Sequence, residues 1–289
     1  MARFARPPCT ALLLAPAGAF GQACTPVTTL PATLSSPGVY CLTSNLTYSG
    51  AADAIVIAVG DVVIDFQQFR LRSTTGNNGI LVNSGDDVVI RNGKIDGFTT
   101  AIRLSGGRAA LVEKMRISQT GNISIASTAN SPIIRENRID RAGAAAIATS
   151  GNQVKILDND ITFHENNPSY GIGHDGSQAL IQGNRLSQVS NLGISVLGAG
   201  NIIRNNVVNG VANTVTLIGI LTPLSGVSSA IAEGNVLRNG ALGISAGAST
   251  TGKFRGNITH EVTTPYDPGG LTNAGNNQYG NLPHWALNA

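Results

Sequence analysis

The chain has 289 residues, enough to bury a large core, and no segment has the character of a linker, so we predict one domain. Charged residues make up only 12% and aromatic residues 4%, whereas glycine and β-branched residues are abundant, which favours strands and tight turns over helices. The formal net charge is +3 and no basic face with interleaved aromatic residues is visible, which argues against a nucleic-acid partner.

Residues 1–23 have the composition of a secretory signal peptide. Arg3 and Arg6 give a basic start, a short apolar stretch covers residues 11–15, and small residues follow at 17–19. The apolar run is too short to span a bilayer, and Pro16 interrupts it. We therefore predict a secreted or periplasmic protein with no membrane span. A disordered tail is the alternative interpretation of this segment.

Residues 24–50 are predicted to form an N-terminal cap that is closed by a disulfide. Removal of the signal segment leaves Cys24 and Cys41, and an even pair in an exported protein indicates one disulfide. By chain-entropy arguments, a disulfide that closes so short a loop stabilises the fold by roughly 3 kcal/mol. Lipid attachment at Cys24 is the competing interpretation, but GQAC lacks the apolar residue expected at the start of a lipoprotein signal.

A short segment in which a small residue precedes an apolar one recurs along residues 51–262. Its nine copies begin at Ala54, Gly79, Ala101, Asn122, Ala146, Gly171, Gly193, Gly219 and Gly243. The steps between starts are 21 to 26 residues, so one unit is too small to bury its own apolar face and must stack on its neighbours. The sequence therefore predicts an all-β solenoid of about nine coils.

A second segment follows each copy, and alignment of these segments gives columns of residues that share one character. Two inward columns are apolar, one running from Ile90 to Phe254 and the other from Ile95 to Thr259. Between them, six successive coils carry asparagine: Asn137, Asn159, Asn184, Asn206, Asn235 and Asn257. Stacked coils lie about 4.8 Å apart, so these amides can form a hydrogen-bonded ladder at a bend whose left-handed backbone asparagine tolerates.

Two further columns are predicted to face outward. The first consists of Arg91, Glu113, Arg135, Leu157, Gln182, Arg204, Glu233 and Arg255. Its adjacent charges mostly alternate in sign, which neighbouring parallel strands require, so we interpret it as a structural charge ladder. The second is apolar and consists of Val89, Leu111, Ile133, Leu180, Ile202 and Ile231. An outward apolar stripe of this length predicts burial by a partner subunit, as in a homo-oligomer, or by a folded-back tail.

At these residues the chain resembles the right-handed parallel β-helix superfamily of pectin-lyase-like proteins, and specifically its members with repeated apolar-x-x-x-Asn-x-Ile coils. The resemblance covers roughly residues 50–262 and implies a single-stranded right-handed parallel β-helix. Relatives by fold include polysaccharide lyases, glycoside hydrolases, uronan epimerases and phage tailspikes, which implies a secreted protein that acts on or binds an extracellular polysaccharide. Adhesins and periplasmic copper-site-maturation proteins share the fold, so a non-catalytic surface or envelope protein is the alternative.

One connection between coils, TFHENNPSYGIGHDGSQ after Ile161, is longer than the others and gathers ionisable side chains of several kinds. Its candidate catalytic residues are His164, Glu165, Tyr170, His174 and Asp175. A lyase or epimerase of uronic acids must neutralise a carboxylate, remove the proton alpha to it and protonate the leaving oxygen, and His174 or Tyr170 suits the proton transfers. The candidate substrate-binding residues are Arg135, Lys155 and Asn167.

Other interpretations of this segment stay open. Glu165 and Asp175 would suit a glycoside hydrolase if their carboxylates lay roughly 5 to 9.5 Å apart. A metal site built from His164, Glu165 and His174 matches no recognised ligand spacing, so we predict no metal and no cofactor. His174 also aligns with a column expected to face the interior, which would make it a hydrogen-bonded core residue: Val82, Leu104, Ala126, Thr149, Val196 and Thr222.

Residues 263–289 lack the repeat and are predicted to form an irregular C-terminal tail. They contain Tyr266, Tyr279, His284 and the only tryptophan, Trp285. Aromatic rings can stack on sugars, but we favour a cap over the last coil, which otherwise exposes unpaired backbone groups.

Overall fold

In the computed structural model, residues 23–163, 170–211, 215–220 and 228–280 form a parallel β-helix. Strands pair in parallel with those of the preceding and following coils. These four ranges contain strands and turns and no helix, so none of their segments is a helix that could cross a membrane.

The strands form three faces that follow one another around each coil. The first face contains β2 (Ala32–Leu34), β5 (Ile55–Ile57), β8 (Asn78–Val82), β10 (Thr100–Leu104), β12 (Ile123–Ser127), β15 (Ala145–Thr149), β18 (Tyr170–Asp175), β21 (Leu192–Leu197) and β24 (Thr216–Ile220). The second face contains β1 (Thr25–Val27), β3 (Gly38–Leu42), β6 (Val62–Asp65), β13 (Ile133–Arg135), β16 (Lys155–Leu157), β19 (Leu180–Gln182), β22 (Asn201–Arg204), β25 (Ser229–Glu233), β27 (Thr251–Arg255) and β29 (Thr272–Asn273).

The third face contains β4 (Leu46–Tyr48), β7 (Arg70–Ser73), β14 (Arg138–Ala142), β17 (Asp160–Thr162), β20 (Arg185–Val189), β23 (Val207–Gly210) and β30 (Gln278–Tyr279). Four longer strands turn a corner and belong to two faces. The strands β9 (Val89–Asp96) and β11 (Leu111–Thr120) join the second face to the third, and β26 (Val236–Ala246) and β28 (Ile258–Asp267) join the third face to the first.

The solenoid has about 11 turns, slightly more than the predicted nine. Strand pairing begins at Thr25, whose partner is Tyr40, and it ends at Tyr279, whose partner is Thr259. The repeated segment, in which a small residue precedes an apolar one, occurs only in coils that carry this pattern on the first face. A count of these segments therefore misses coils at both ends of the solenoid. The predicted disulfide between Cys24 and Cys41 is confirmed and lies at the N-terminal end.

The asparagine ladder is confirmed, and every amide in it is hydrogen-bonded. Each side-chain Nδ2 donates to the Oδ1 of the asparagine on the next coil at 2.9 to 3.1 Å, from Asn137 through to Asn277, which adds a seventh member. Each Nδ2 also donates to a main-chain carbonyl of the preceding coil, as Asn184 does to Ile156. Because the six predicted members are at most 1% exposed, each satisfied amide avoids a large desolvation cost.

The left-handed backbone of this bend lies one residue earlier than predicted. The residues immediately before the ladder positions have positive φ, as in Lys114 (55°), Glu136 (54°) and Asp158 (53°), whereas the ladder asparagines do not. The asparagine is therefore placed by its hydrogen bonds and not by its tolerance of a left-handed conformation. Gly183, Gly234 and Gly256 occupy the left-handed position in later coils.

The charge ladder on the second face contains ion pairs between neighbouring coils. Glu113 lies between Arg91 and Arg135 in register, and it accepts hydrogen bonds from Arg135 at 2.6 and 2.9 Å. Arg255 pairs in the same way with Glu233 on the preceding coil at 2.8 Å. Alternation therefore turns stacking of charged residues into attraction between neighbouring coils.

The outward apolar residues also lie in one file, which the exposed Lys155 interrupts between Ile133 and Leu180. Most of its members are half-buried, and Ile231 is 38% exposed. Their burial by a partner subunit stays a prediction.

Replacing Asn184 by leucine is expected to destabilise the fold by about 1–3 kcal/mol, because Asn159 and the Ile156 carbonyl lose hydrogen-bond partners in the interior. Thermal unfolding followed by circular dichroism measures the change. The matched control is Asn191→Leu, because Asn191 is exposed and its side chain makes no hydrogen bond within the described ranges. Equal melting temperatures for the two variants would contradict the ladder's energetic role.

Candidate functional site

A cavity on the first face crosses strands β10, β12, β15, β18 and β21. Its volume is about 370 Å³. Five neighbouring strands span about 19 Å along the helix axis at the usual spacing of a parallel sheet. The cavity is therefore an open groove that runs along the solenoid.

Small side chains form the floor of this cavity. In the outward file of the first face, Ala126, Ala148, Gly173 and Ser195 lie on four successive coils. On a neighbouring coil, the same file carries the long side chain of Arg103, which lies at one end of the cavity. The groove exists because short residues are stacked here on successive coils.

Tyr170 lies on the cavity wall, and Gly173 makes room for its ring. A Cβ atom added to Gly173 would clash with three ring atoms of Tyr170. The absence of a side chain at position 173 therefore lets the aromatic ring lie across the sheet. Tyr170 is half-buried, so its ring is fixed by packing while part of it stays open to a ligand.

Asp175 and Arg103 supply the two charges of the cavity. Asp175 is exposed and is the only acidic residue among the described residues that line the cavity. Arg103 is exposed, and its Nε donates to Ser105 Oγ at 3.2 Å. Three coils separate Arg103 from Gly173, about 14 Å along the axis, so the two charges are far apart. Arg103 was not among the candidates predicted from the sequence, although it is the long side chain next to an outward file of small residues.

His174 lies beneath the cavity, in the interior file between Thr149 and Val196. The same file continues through Ser127 and Ile220, and not through Ala126 and Thr222 as the sequence alignment had it. Its ring is only 3% exposed, and Nδ1 lies 2.9 Å from Thr149 Oγ1. Nε2 is shielded from solvent and meets no hydrogen-bond partner of good geometry among the described residues.

Burial lowers the pKa of His174 below its ordinary value of 6.5, and the backbone of Gly176 and the charge of Asp175 oppose the shift. The imidazole is therefore neutral at neutral pH. Either Nδ1–H donates to Thr149 Oγ1, whose hydroxyl then donates to the Gly173 carbonyl at 3.3 Å, or the hydroxyl donates to an unprotonated Nδ1. The direction of this hydrogen bond goes with the tautomer of the ring.

Two of the remaining candidate residues, Arg135 and Lys155, do not line this cavity. Arg135 and Lys155 lie on the second face, on β13 and β16, where Arg135 is paired with Glu113 and Lys155 is exposed. His164, Glu165 and Asn167 lie outside the described residues. Of the eight candidates, the structure brings Tyr170, His174 and Asp175 together at one cavity.

A metal centre has no further support in this part of the chain. Within the described ranges, no three histidine, cysteine, aspartate or glutamate side chains converge as metal ligands would.

At the C-terminal end of the solenoid, Tyr266 contacts Phe254 and Tyr279, with ring centroids 5.2 and 6.3 Å apart. His284 and Trp285 of the predicted tail lie outside the described residues.

Comparison with known proteins identifies the family. A family model described as the right-handed β-helix region matches residues 35–186, more than half of the chain. The chain belongs to the right-handed β-helix family. No curated protein matches it.

Solved structures similar to this β-helix protein are distant in sequence. A mutant of a periplasmic alginate epimerase is 13% identical with a TM-score of 0.65, over 85% of this chain and 75% of that one. An alginate lyase from Paenibacillus sp. str. FPU-7 is 14% identical with a TM-score of 0.57, over 84% and 93%. A mutant tailspike protein of the E. coli bacteriophage HK620, in complex with a pentasaccharide, is 9% identical with a TM-score of 0.55, over 84% and 60%. At these identities the likeness shows the fold.

Acid is expected to destabilise the wild-type protein more than its His174→Gln variant. Below about pH 6.5 the unfolded chain protonates His174 while the folded chain resists protonation, so stability falls until the pH reaches the lowered folded pKa. Melting temperatures measured from about pH 8 to about pH 5 test this, because glutamine contributes no titration. If both proteins lose stability equally over this interval, the buried histidine is not titrating as its position requires.

Proposed function

We propose that this chain is an exported β-helix protein that acts on or binds a polysaccharide in the first-face cavity. The observation that carries the proposal is the shape and lining of the cavity, an elongated groove with an aromatic ring, a carboxylate and several hydroxyl groups over a floor of small residues. A sugar chain needs apolar contact for its ring faces and hydrogen bonds for its hydroxyls. A groove that extends over five neighbouring strands suits a polymer better than a small molecule.

The distant structural relatives support a carbohydrate ligand. Two of them are named for alginate and one binds a pentasaccharide. A shared fold does not carry chemistry with it, so the assignment for this chain depends on the cavity residues.

Export is supported by two observations. The disulfide between Cys24 and Cys41 is typical of proteins in an oxidising compartment. Residues 1–23 have the composition of a secretory signal. A secreted or periplasmic location would place the cavity where extracellular polysaccharides occur.

For a uronic-acid polymer, the groove residues suit a proton-transfer reaction. In the elimination, the proton on the carbon alpha to the carboxylate leaves to a base, the adjacent glycosidic C–O bond breaks, and the leaving oxygen takes a proton from an acid. Epimerisation removes the same proton and returns one to the opposite side of the carbon. Tyr170 is the group we assign to contact the reacting sugar, and Asp175 lies on the same strand at the cavity wall.

His174 acts through its neighbours in this proposal. Because the ring is buried, neutral and hydrogen-bonded to Thr149, it positions β18 beneath the groove. Arg103 would meet a carboxylate several sugars along the same polymer, because it lies three coils from Gly173. His164, Glu165 and Asn167 precede Tyr170 closely in the chain, and Glu165 with Asp175 stays the proposed acid pair for a hydrolase.

A non-catalytic binding protein is the second candidate function. The burial of His174 favours it, because a histidine at 3% exposure with its Nδ1 already hydrogen-bonded offers little access to a substrate. In that case the groove retains a polysaccharide for adhesion or assembly, without turnover.

Incubation of the purified protein with acidic and neutral polysaccharides tests the proposal, with unsaturated products and reducing ends followed separately. Tyr170→Phe is expected to lower turnover by about 10²- to 10⁴-fold, because it removes the hydroxyl that transfers a proton. The matched control is Tyr279→Phe, because Tyr279 is 72% exposed at the end of the solenoid. Turnover that Tyr170→Phe leaves unchanged would refute the catalytic assignment, and binding without products would establish the non-catalytic function.

Gly173→Ala is expected to lower turnover or binding while the β-helix stays folded. The added methyl group displaces the ring of Tyr170 from the sheet, and that ring belongs to a surface side chain that can move outward. Near-ultraviolet circular dichroism reports the ring environment, and far-ultraviolet spectra report the fold. If ligand binding survives although the ring has moved, Tyr170 does not contact the ligand.

A further inference from the structure

Four basic side chains are stacked on successive coils of the third face. Arg70, Lys94, Arg116 and Arg138 are partners in register, on β7, β9, β11 and β14. Neighbouring strands lie about 4.8 Å apart, so their Cα atoms are separated by roughly that distance. We call these four residues the basic stripe.

The basic stripe lines a second cavity, with a volume of about 320 Å³. Asp96 and Asp140 line it too, so cations outnumber carboxylates among its described lining residues by two. Asp96 lies 3.3 Å from Arg70 and 3.4 Å from Arg72, which partly neutralises one end of the stripe. The concave shape concentrates the excess positive potential over Lys94, Arg116 and Arg138.

Three of the four cations have no acidic partner among the residues that the structure describes. Within the described ranges, Lys94, Arg116 and Arg138 form no ion pair, although Asp160 is the next residue in register after Arg138. Arg116 and Arg138 are exposed and Lys94 is half-buried. Their charged groups are therefore available to an outside anion.

The charge ladder of the second face provides an internal comparison. There Arg135 stacks on Glu113, and the charges attract each other across coils. In the basic stripe like charges occupy neighbouring positions, an arrangement that destabilises a sheet. The same solenoid thus avoids stacking of like charges on the second face and tolerates it on the third. A large overall positive charge does not explain this, because the whole chain carries a net charge of only +3. An anionic ligand that spans several coils would account for this difference.

We propose that the basic stripe binds a linear polyanionic glycan, with carboxylate or sulfate groups along the polymer contacting successive cations. Guanidinium groups form bidentate hydrogen bonds with such oxyanions, and the stripe offers three arginines along one line. Ser118 adds a hydroxyl at the same cavity. Among its described lining residues no aromatic side chain is present, so it lacks the stacking surface that binds single-stranded nucleic acid. The site lies on a different face from the Tyr170 cavity and does not depend on the proposed function.

The test uses polygalacturonate, dextran sulfate, uncharged dextran and a single-stranded DNA oligonucleotide as probes, with affinities measured by calorimetry at low salt. Wild-type protein is expected to bind polygalacturonate or dextran sulfate and not dextran. The double variant Arg116→Gln/Arg138→Gln is expected to bind at least about tenfold more weakly, because two charge-assisted contacts are lost.

The matched control is Arg108→Gln/Lys253→Gln, which removes the same charge from two exposed residues outside the stripe. It is expected to retain affinity within about twofold, since its charges act only at long range. The stripe variant should also keep or raise its melting temperature, because the substitutions relieve repulsion. The polyanion should raise the melting temperature of the wild type more than that of the stripe variant.

Several outcomes would overturn the proposal. Dextran binding as tightly as polygalacturonate, equal loss in the control variant, or tighter binding of the oligonucleotide would each exclude a polyanionic glycan at the stripe. Tyr170→Phe separates this proposal from the proposed function. Loss of polyanion affinity in that variant would place the binding in the first-face cavity, whereas retained affinity with lost turnover assigns two separate sites.

Discussion

Stacking of equivalent residues at the spacing of parallel strands is the constraint on which this structure depends. Each position meets its own equivalents on the coils above and below, about 4.8 Å away. A residue type therefore stabilises a column when it interacts well with itself or with an alternating partner. Isoleucine satisfies this by packing, and asparagine by donating from Nδ2 to the Oδ1 of the next coil. The interior follows directly from this rule.

The same constraint explains what could be predicted from the sequence. The asparagine ladder and the alternation of Glu113 with Arg135 could be predicted, because the residues of each column interact favourably with their equivalents on neighbouring coils. The repeat spacing alone determines which residues those equivalents are. The disulfide could be predicted because only two cysteines lie outside the segment that has the composition of a signal peptide. The coil count was less accurate, because the terminal coils keep the strand pairing and lose the repeated residue types. Backbone hydrogen bonds do not depend on side chains, so pairing extends beyond the pattern.

The candidate site was harder to predict, because nearness in sequence differs from nearness on a face. A coil passes through three faces within little more than twenty residues, so Lys155 and Tyr170 belong to different faces although few residues separate them. Arg103 is far from Tyr170 in sequence, yet both line one cavity. Its signal was the outward file of small residues on the first face, which an alignment directed at interior positions does not reveal. His174 is adjacent to the exposed Asp175, and the alternation of a strand sends the two side chains to opposite sides.

The two candidate binding surfaces are related by the geometry of the coil. Only Gly143 and Ala144 separate β14 on the third face from β15 on the first, so the corner between the faces is short. The basic stripe and the first-face cavity overlap along the axis of the solenoid. The stripe includes residues of β11 and β14, and the cavity includes residues of β10, β12 and β15, which precede or follow those strands in the chain. A polymer held at the stripe would keep its free segments close to the cavity, at a high effective concentration. Weak contact in the open groove would then suffice for occupancy, because the groove contains few charges while the stripe supplies the electrostatic attraction. A rigid solenoid suits this division, because its faces keep a fixed relation to each other along the whole axis.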